Sequence, residues 1–539
     1  MSNATTPGNS IEEIKEVDVQ SIKPNTDLTK VVSREIYLAE PNFENISLFR
    51  ECLFIFFMCM SQLLTQAANS QTMVNAVVLG RAFDVSDKPG VVSWFSAAIS
   101  LTVGTFILVS GRLGDLYGYK KLYIIGYIWF GVFSLICGFA GFTKSSVFFA
   151  IMRGLQGIGP AIMMPNSQAL IGSFYPPSTR KNICFALFGA TAPNGFIIGA
   201  LFSAMFTETA WWPWTFWLCG IVSISAAILA YFVIPAHVGS KSSGKFDYGG
   251  AITGVTGLIL INFAFNQGPN VGWDKVYVYV LLIVGFLFMG AFYFIEQKVE
   301  DPLVPPSVLN GDTGFILVII AAGWSCFGIW LYYMFLWSLK VDGASPVIAA
   351  VQNITCGPVG VIAALSTAYM LRKIPSSIVL FIAMIFFLVG IIIMGLRPVH
   401  QIYWSQKFVS CLLMPFGMDI SFPTGVLILQ NHFPRNMQGL AGSLISTFVN
   451  YSISIGLGFA GTVEYYTTKD KVPGFDTTVY GYRRAYYMGM GLAGFGLVIS
   501  SIYIFIQLQN RRKSLQQESR SLDMSDGDNE VIEAKELEN

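Results

Sequence analysis

Apolar residues along this chain are grouped into long stretches that short polar connections separate. A helix needs about 20 mostly apolar residues to cross the hydrocarbon core of a bilayer, and fourteen stretches come close to or exceed that length. Numbered in chain order as spans 1 to 14, they cover residues 53–78, 92–110, 122–141, 147–172, 183–206, 213–234, 248–266, 276–297, 314–337, 346–370, 377–396, 406–430, 438–463 and 485–508. The pattern predicts an all-α polytopic membrane protein.

The composition supports this prediction and excludes other classes. Of 539 residues, 53% are apolar and only 12% are charged, whereas a soluble domain has about 25% charged residues. The low charge excludes a cytosolic enzyme, a nucleic-acid binder with a basic face and a disordered scaffold. The net charge of +1 conceals a division, because acidic residues outnumber basic ones in residues 1–51 and 511–539 while the body between them is basic. We expect both tails to be disordered.

The charges also predict an orientation. An even number of spans places both tails on one side, and the connections on that side carry the larger share of Lys and Arg, which favours cytoplasmic termini. We expect the plasma membrane, with the vacuolar membrane as an alternative. The eight cysteines form no Cys-x-x-Cys pair, so neither a metal site nor a cofactor is expected. No signal peptide is expected, since a charged leader precedes the first apolar run.

An internal repeat relates the two ends of the body. Gly159, Pro165 and Pro176 in and after span 4 match Gly417, Pro423 and Pro434 in and after span 12, each pair 258 residues apart. Two related six-span halves are typical of an alternating-access transporter. The repeat therefore predicts a 6 + 2 + 6 organisation, divided as tail 1–51, first half 52–236, inserted pair and linkers 237–313, second half 314–510 and tail 511–539.

A glycine-rich basic loop follows span 2 and reads GRLGDLYGYKK, from Gly111 to Lys121. Its glycines allow a tight turn and close helix approach. Its functional positions are Gly111, Arg112, Gly114, Asp115, Gly118, Lys120 and Lys121. The loop resembles the signature loop of the major facilitator superfamily, and the resemblance implies a gating latch between the halves. A plain turn rich in basic residues is the alternative.

Span 4 contains Arg153 and Gln156, followed by Gly159. An arginine within hydrocarbon costs about 2.5–3.5 kcal/mol on insertion scales, so it should face the bundle interior. The segment resembles the second motif of the same superfamily, which implies a role in coupling or gating. The alternative is a structural partner for carbonyl groups.

Span 5 combines small residues with a proline, which predicts a close-packed and kinked helix. The residues are Gly189, Pro193, Asn194, Gly195 and Gly199. The segment resembles the motif shared by drug/H⁺ antiporters, except that Ala192 stands where a glycine is usual.

Asp419 is the carboxylate that the sequence places deepest in a span. An ionisable residue there is by default a functional hypothesis: it could bind a cation, carry a proton or pair with Arg153. A static buried ion pair is the structural alternative, and Glu296 at the end of span 8 is expected to reach water. With Asp419, Arg153, Gln156 and Asn194 as transport or coupling residues, a polar path could include Gln66, Asn75, Asn166, Gln352, Asn353 and Asn450.

The body as a whole resembles the fungal fourteen-span drug/H⁺ antiporter branch of this superfamily. Within that branch it is similar to the aminotriazole and boron resistance exporters and to low-affinity ammonium transporters. Such antiporters carry an aspartate in span 1 ahead of a Thr and an Asn. Here Thr72 and Asn75 are present, but the aspartate position is Ser70. The departure leaves Asp419 as the main candidate for coupling.

Three functions remain open. The first is a secondary-active or facilitative carrier of a small solute such as ammonium, the second is proton-coupled efflux of drugs, aminotriazole or borate, and the third is a non-transporting nutrient receptor. The partners expected are a small-molecule or ion substrate and the bilayer, with a monomer as the working unit and no nucleic acid. No constellation of nucleophile, base and orienting group is present, so no enzymatic activity is expected.

Overall fold

The fold is described from a computed structural model, which covers residues 47–175, 178–235, 244–309, 311–433 and 438–537. Every regular element within these ranges is a helix. Fourteen of the helical segments are long and apolar enough to cross a membrane, which confirms the fourteen predicted spans.

The helices extend the predicted spans by a few residues at most ends. Spans 1 to 6 are Leu48–Val74, Pro89–Tyr117, Tyr119–Thr143, Ser146–Phe174, Thr179–Thr209 and Trp214–Val233. Spans 7 and 8 are Tyr248–Val271 and Val276–Glu296. Spans 9 to 14 are Gly311–Leu336, the pair Pro346–Val351 with Cys356–Lys373, then Ser376–Gly395, Gln406–His432, Gln438–Thr468 and Phe475–Leu537. Shorter segments are Ala76–Ala82, the 3₁₀ turn Pro306–Val308 and the π turn Trp337–Val341.

Local sequence explains several of the helix ends. The hydroxyl of Ser145 accepts the backbone N–H of Phe148 at the start of span 4, and Ser178 accepts that of Lys181 at the start of span 5. Such N-caps satisfy backbone donors that the helix leaves free. Spans 2 and 3 are separated by Gly118 alone, whose φ of 97° favours glycine.

Equivalent glycines of the predicted repeat have equivalent surroundings. A Cβ added at Gly159 of span 4 would meet the backbone of Phe130 in span 3 at 2.8 Å, and one at Gly417 of span 12 would meet the Phe387 ring in span 11 at 2.8 Å. Each glycine therefore lets its span pack closely on the preceding one. Pro165 and Pro423 lie inside continuous helices, whereas Pro176 and Pro434 lie outside the described residues.

Spans 2 and 13 form a close seam between the halves. A Cβ added at Gly104 would lie 2.7 Å from the backbone nitrogen of Tyr451. Ser454 donates its hydroxyl to the carbonyl oxygen of Ala97 across the seam at 3.2 Å. A small residue in one helix thus allows the two backbones to approach.

Span 7 of the inserted pair packs along this seam. Asn266 donates to the side-chain oxygen of Asn262 at 2.8 Å and to Ser454 of span 13 at 3.3 Å. On span 2, Trp94 donates its ring N–H to Gln267 at 3.1 Å. The inserted helix therefore hydrogen-bonds to both halves along one side of the molecule.

The C-terminal tail differs from its prediction. The last helix continues from Phe475 to Leu537, where the acidic composition predicts disorder. Residues 511–537 contain a single glycine and no proline, so the backbone meets no strong helix breaker there. Most of the N-terminal tail and part of the linker after span 6 lie outside the described residues, and the division of the body into 6 + 2 + 6 stays a prediction.

The seam predicts opposite effects for two glycine substitutions. Gly104→Ala should lower the free energy of unfolding by about 1–3 kcal/mol, because the new methyl group meets the backbone of span 13. Gly491→Ala is the matched control, since a Cβ there meets nothing within 4 Å and alanine is favoured in helices. The thermal unfolding midpoints of the detergent-purified proteins measure both effects. Equal midpoints for the two variants would contradict the close seam.

Candidate functional site

Arg153 of span 4 is fully buried and bonds to the surrounding helices. Its guanidinium donates to the carbonyl oxygen of Phe95 in span 2 at 3.1 Å and to that of Ala68 in span 1 at 2.7 Å. It also bonds to the side chain of Gln156, which in turn donates to Ser134 of span 3 at 2.6 Å. The pair therefore connects spans 1 to 4, all within the first half.

This geometry favours the structural alternative for Arg153. Carbonyl oxygens accept its protons, and its guanidinium also lies 5.6 Å from the centre of the Phe216 ring in span 6. Among the described residues the structure contains no ion pair between Arg153 and Asp419. The hypothesis that these two residues pair is therefore wrong for this conformation, because Arg153 is already committed to the first half.

Asp419 lies midway along span 12, where three spans meet. Its Oδ2 atom is buried and has no hydrogen-bond partner. A Cβ added at Gly360 of span 10 would lie 2.8 Å from this oxygen and 3.2 Å from the ring of Pro193 in span 5. The carboxylate thus lies where spans 10 and 12 face span 5, and no basic side chain in the described residues forms an ion pair with it.

Asn194 belongs to the same junction. Its amide nitrogen donates to the carbonyl oxygen of Ala190 at 2.7 Å, and its oxygen would lie 3.2 Å from a Cβ added at Gly357 of span 10. The structure therefore brings the proline motif of span 5 together with Asp419, while Arg153 and Gln156 lie apart from them. The junction offers a carboxylate and an amide oxygen, both of which are ligands for a cation.

The remaining span 5 residues have different surroundings. A Cβ added at Gly195 would meet the backbone of Leu63 in span 1 at 2.7 Å, and one at Gly199 would meet the hydroxyl of Ser70 at 2.6 Å. Ser70, at the position of the usual aspartate, donates to the carbonyl oxygen of Ala67. Gly189 has no neighbour within 4 Å of an added Cβ, so the prediction that it serves close packing is wrong. Pro193 lies inside a continuous helix.

Most amides of the predicted polar path bond within their own helix. Asn166, Asn353 and Asn450 each donate to the carbonyl oxygen four residues earlier, as Asn194 does. Gln66 accepts from Asn69, one turn away. Asn75 instead donates to the hydroxyl of Ser203 in span 5 at 2.6 Å. A continuous path through these residues stays a prediction.

The segment from Gly111 to Lys121, which was predicted as a loop, forms the ends of spans 2 and 3 around Gly118, and it contacts the end of span 6 and the linker after span 8. Asp115 accepts the hydroxyl of Tyr119 at 2.7 Å, and Lys120 donates to the carbonyl oxygen of Ile234 after span 6. Arg112 lies 3.9 Å from Asp301 in the linker after span 8. Asn166 of span 4 packs against Gly114. Gly111 and Lys121 complete the loop, and its role as a latch between the halves stays a prediction.

Some charged side chains within the helices were missed by the sequence analysis, which placed only Arg153 and Asp419 deep in the spans. Lys407 is fully buried near the start of span 12 and bonds to Gln352 and Ser338. Glu464 is half-buried in span 13, which runs beyond its predicted end, and accepts the hydroxyl of Tyr333 at 2.6 Å. Each lies at a span end, where hydropathy alone cannot separate a buried charge from a solvated one.

A cavity of about 340 Å³ opens between the halves at one membrane face. We call this the distal face, because it is opposite the terminal face at which span 1 begins. The cavity is lined by Arg81 from the first half and by Lys340 and Tyr332 from the second. The described residues show no ion pair for either basic side chain, so the cavity has a basic lining.

The family model described as Major Facilitator Superfamily matches residues 52–457. The Low affinity ammonium transporter of Saccharomyces cerevisiae is 43% identical, over 88% of this chain and 93% of the relative. Efflux pump terJ of Aspergillus terreus is 40% identical, over 88% of this chain and 91% of the relative. These similarities confirm the resemblance drawn from the motifs.

Solved structures support the fold independently of sequence. A peptide transporter of the POT family in complex with sulfate superposes with a TM-score of 0.62 at 14% identity, over 85% of this chain and 94% of that one. At this identity the likeness concerns the fold alone. Taken with the family match over most of the body, it shows that this multi-pass membrane protein belongs to the major facilitator superfamily of transporters.

Proposed function

We propose that the chain carries ammonium across the plasma membrane by alternating access, with Asp419 as the residue that holds the cation at mid-membrane. The observation that carries the proposal is the unpartnered oxygen of this carboxylate at the junction of spans 5, 10 and 12. An ionised carboxylate without a partner is costly in a water-excluding interior. A bound cation offsets that cost and supplies the missing partner.

The position of Asp419 links binding to movement. Its neighbours in spans 5 and 10 belong to opposite predicted halves. A cation bound there would therefore change the contact between those halves. Alternating access moves one half against the other around such a central site. Transport of one positive charge gains about 2.3 kcal/mol per 100 mV of membrane potential. Uptake therefore needs no exchange of protons, which agrees with the serine that replaces the usual span 1 aspartate.

The similarity to the yeast ammonium transporter supports this substrate. The working unit of the proposal is a monomer with both termini in the cytoplasm. The basic connections of the terminal face support that orientation. Among the described residues, the two histidines are His400, in a loop, and His432, the last residue of span 12. Neither lies at mid-membrane, so the proposed carrier relies on the carboxylate of Asp419 to hold the cation there.

The first test substitutes Asp419. Asp419→Asn should reduce uptake of labelled methylammonium about tenfold or more, because the amide keeps the shape but removes the charge that offsets the cation. Surface expression should hold. Asp274→Asn, at an exposed aspartate between spans 7 and 8, is the matched control and should leave uptake intact. Normal uptake by the Asp419→Asn protein would contradict the proposed role of Asp419 in cation binding.

We infer that Arg153 serves stability and not coupling, since its guanidinium protons are shared among spans 1, 2 and 4. Arg153→Lys should lower the free energy of unfolding by roughly 3 kcal/mol, because at least two hydrogen bonds to a charged donor are lost. Arg372→Lys, at an exposed arginine in the last turn of span 10, is the control. A purified Arg153→Lys protein with a normal unfolding midpoint but uncoupled transport would contradict the inference.

A second candidate function is proton-coupled efflux of borate or a weak organic compound. The basic cavity at the distal face favours it, because Arg81 and Lys340 attract an anion and repel ammonium. The similarity to a fungal efflux pump supports it as well. In this case Asp419 would carry a proton during the cycle, and its lack of a basic partner fits that role too.

The two candidates predict different phenotypes. Under efflux, Arg81→Ala with Lys340→Ala should raise sensitivity to borate and to weak acids about as much as gene deletion, while methylammonium uptake is unaffected. Lys469→Ala, at an exposed lysine after span 13, controls for general loss of positive charge. Under ammonium uptake, the double variant keeps or increases uptake and resistance does not change. Growth panels and tracer uptake in cells lacking the endogenous gene distinguish these outcomes.

A further inference from the structure

Two carboxylates lie buried at the terminal-face end of the inserted pair. Asp247 is the N-cap of span 7 and is 6% exposed, and Glu296 is the last residue of span 8 and is 3% exposed. The prediction that Glu296 reaches water is therefore wrong. Because spans 7 and 8 are antiparallel neighbours, the start of one and the end of the other meet at the same face.

Each carboxylate uses one oxygen to accept a backbone N–H. Asp247 Oδ1 accepts from Gly250 at 2.8 Å, which caps span 7. Glu296 Oε2 accepts from Val304 at 3.0 Å, in the linker toward span 9. The second oxygen of each, Asp247 Oδ2 and Glu296 Oε1, is buried and has no hydrogen-bond partner.

The two unpartnered oxygens face the same point. A Cβ added at Gly250 would meet Asp247 Oδ2 first and Glu296 Oε1 next, at 2.6 Å. Glycine at this position leaves both oxygens beside a gap that any larger residue would fill. Both oxygens therefore border the same glycine, one from each helix of the inserted pair.

No positive charge in the described residues compensates them. The charged side chains on adjoining segments are Arg112, Lys245, Lys298 and Asp301. Arg112 lies near Asp301 at 3.9 Å, and Lys245 and Lys298 are exposed. The described hydrogen bonds and ion pairs include none from these cations to either buried carboxylate.

Two adjacent buried carboxylates cannot both be ionised without a large cost, since like charges repel and each has lost its water. One proton between them removes both problems, because the protonated oxygen donates to the ionised one and both unpartnered atoms are then satisfied. We propose that Asp247 and Glu296 hold one shared proton, and that they form a proton-binding site at the base of the inserted pair, separate from Asp419.

The site also holds the linker that follows span 8. Glu296 holds the linker through Val304, and Leu303 and Val304 are themselves buried. Loss of the proton places two negative charges at this contact and favours its opening. The shared proton thus stabilises the connection between the inserted pair and the second half.

The test compares Glu296→Gln with wild type in purified protein, without any transport assay. Because the proposed site binds a proton that the unfolded chain releases near pH 4, folding is coupled to proton uptake. The wild-type unfolding midpoint should therefore fall as pH rises from about 5 to about 8. The glutamine donates its amide hydrogen to Asp247 at every pH. The unfolding midpoint of Glu296→Gln should therefore change with pH at most about one third as steeply as that of the wild type. Exposed Glu300→Gln is the matched control and should keep the wild-type slope.

Infrared spectroscopy provides a second readout. The wild-type protein at neutral pH should show the carbonyl band of a buried carboxylic acid that Glu296→Gln and Asp247→Asn each remove and that Asp419→Asn retains. If Glu296→Gln does not fold, Asp247→Asn tests the same proton with the same two measurements. Equal pH slopes in wild type and both variants, or an unchanged band, would overturn the proposal whatever the outcome of the uptake experiments.

Discussion

Within hydrocarbon a polar group must find its partner inside the protein, because no water is available to replace one. This constraint accounts for much of the packing in the molecule. Helices satisfy their own backbones, and many polar side chains bond across spans or back to a carbonyl one turn away. Arg153 is the clearest case, since its full positive charge is accommodated by carbonyl oxygens from two neighbouring helices and by the amide oxygen of Gln156 in its own helix. The constraint is not met at Asp419 or at the Asp247–Glu296 pair, where buried oxygens have no partner, and our proposals place an ion at each of these two sites.

Much of the architecture could be predicted from the sequence, because length and hydropathy alone identify a membrane span. The equivalence of Gly159 and Gly417 was also accessible, since the same offset recurs with the prolines. The hydrogen-bond or ion-pair partner of each polar residue could not be predicted. Arg153 and Asp419 are the two charges deepest in the predicted spans, yet one is saturated by its own half and the other has an unpartnered oxygen. That difference depends on which helix faces overlap, and a single sequence does not record it.

The ends of the spans caused most of the errors. Lys407 and Glu296 both lie within two residues of a helix end, where hydropathy predicts contact with water. Each is buried because a neighbouring connection folds over it: Gln352 at the break in span 10 bonds to Lys407, and Val304 bonds to Glu296. A buried charge at a span end therefore requires knowledge of the connections, which are the segments that periodicity describes least well.

The hydrogen bonds that span 7 makes along the seam have a mechanical consequence. Hydrogen bonds join span 7 to span 13 and span 2 along one side of the molecule, and few such bonds can break and re-form cheaply in lipid. That side should consequently resist separation of spans 2 and 13 more than the side where spans 5 and 10 meet. The two inserted helices would then act as the spine of a hinge whose free edge contains the carboxylate.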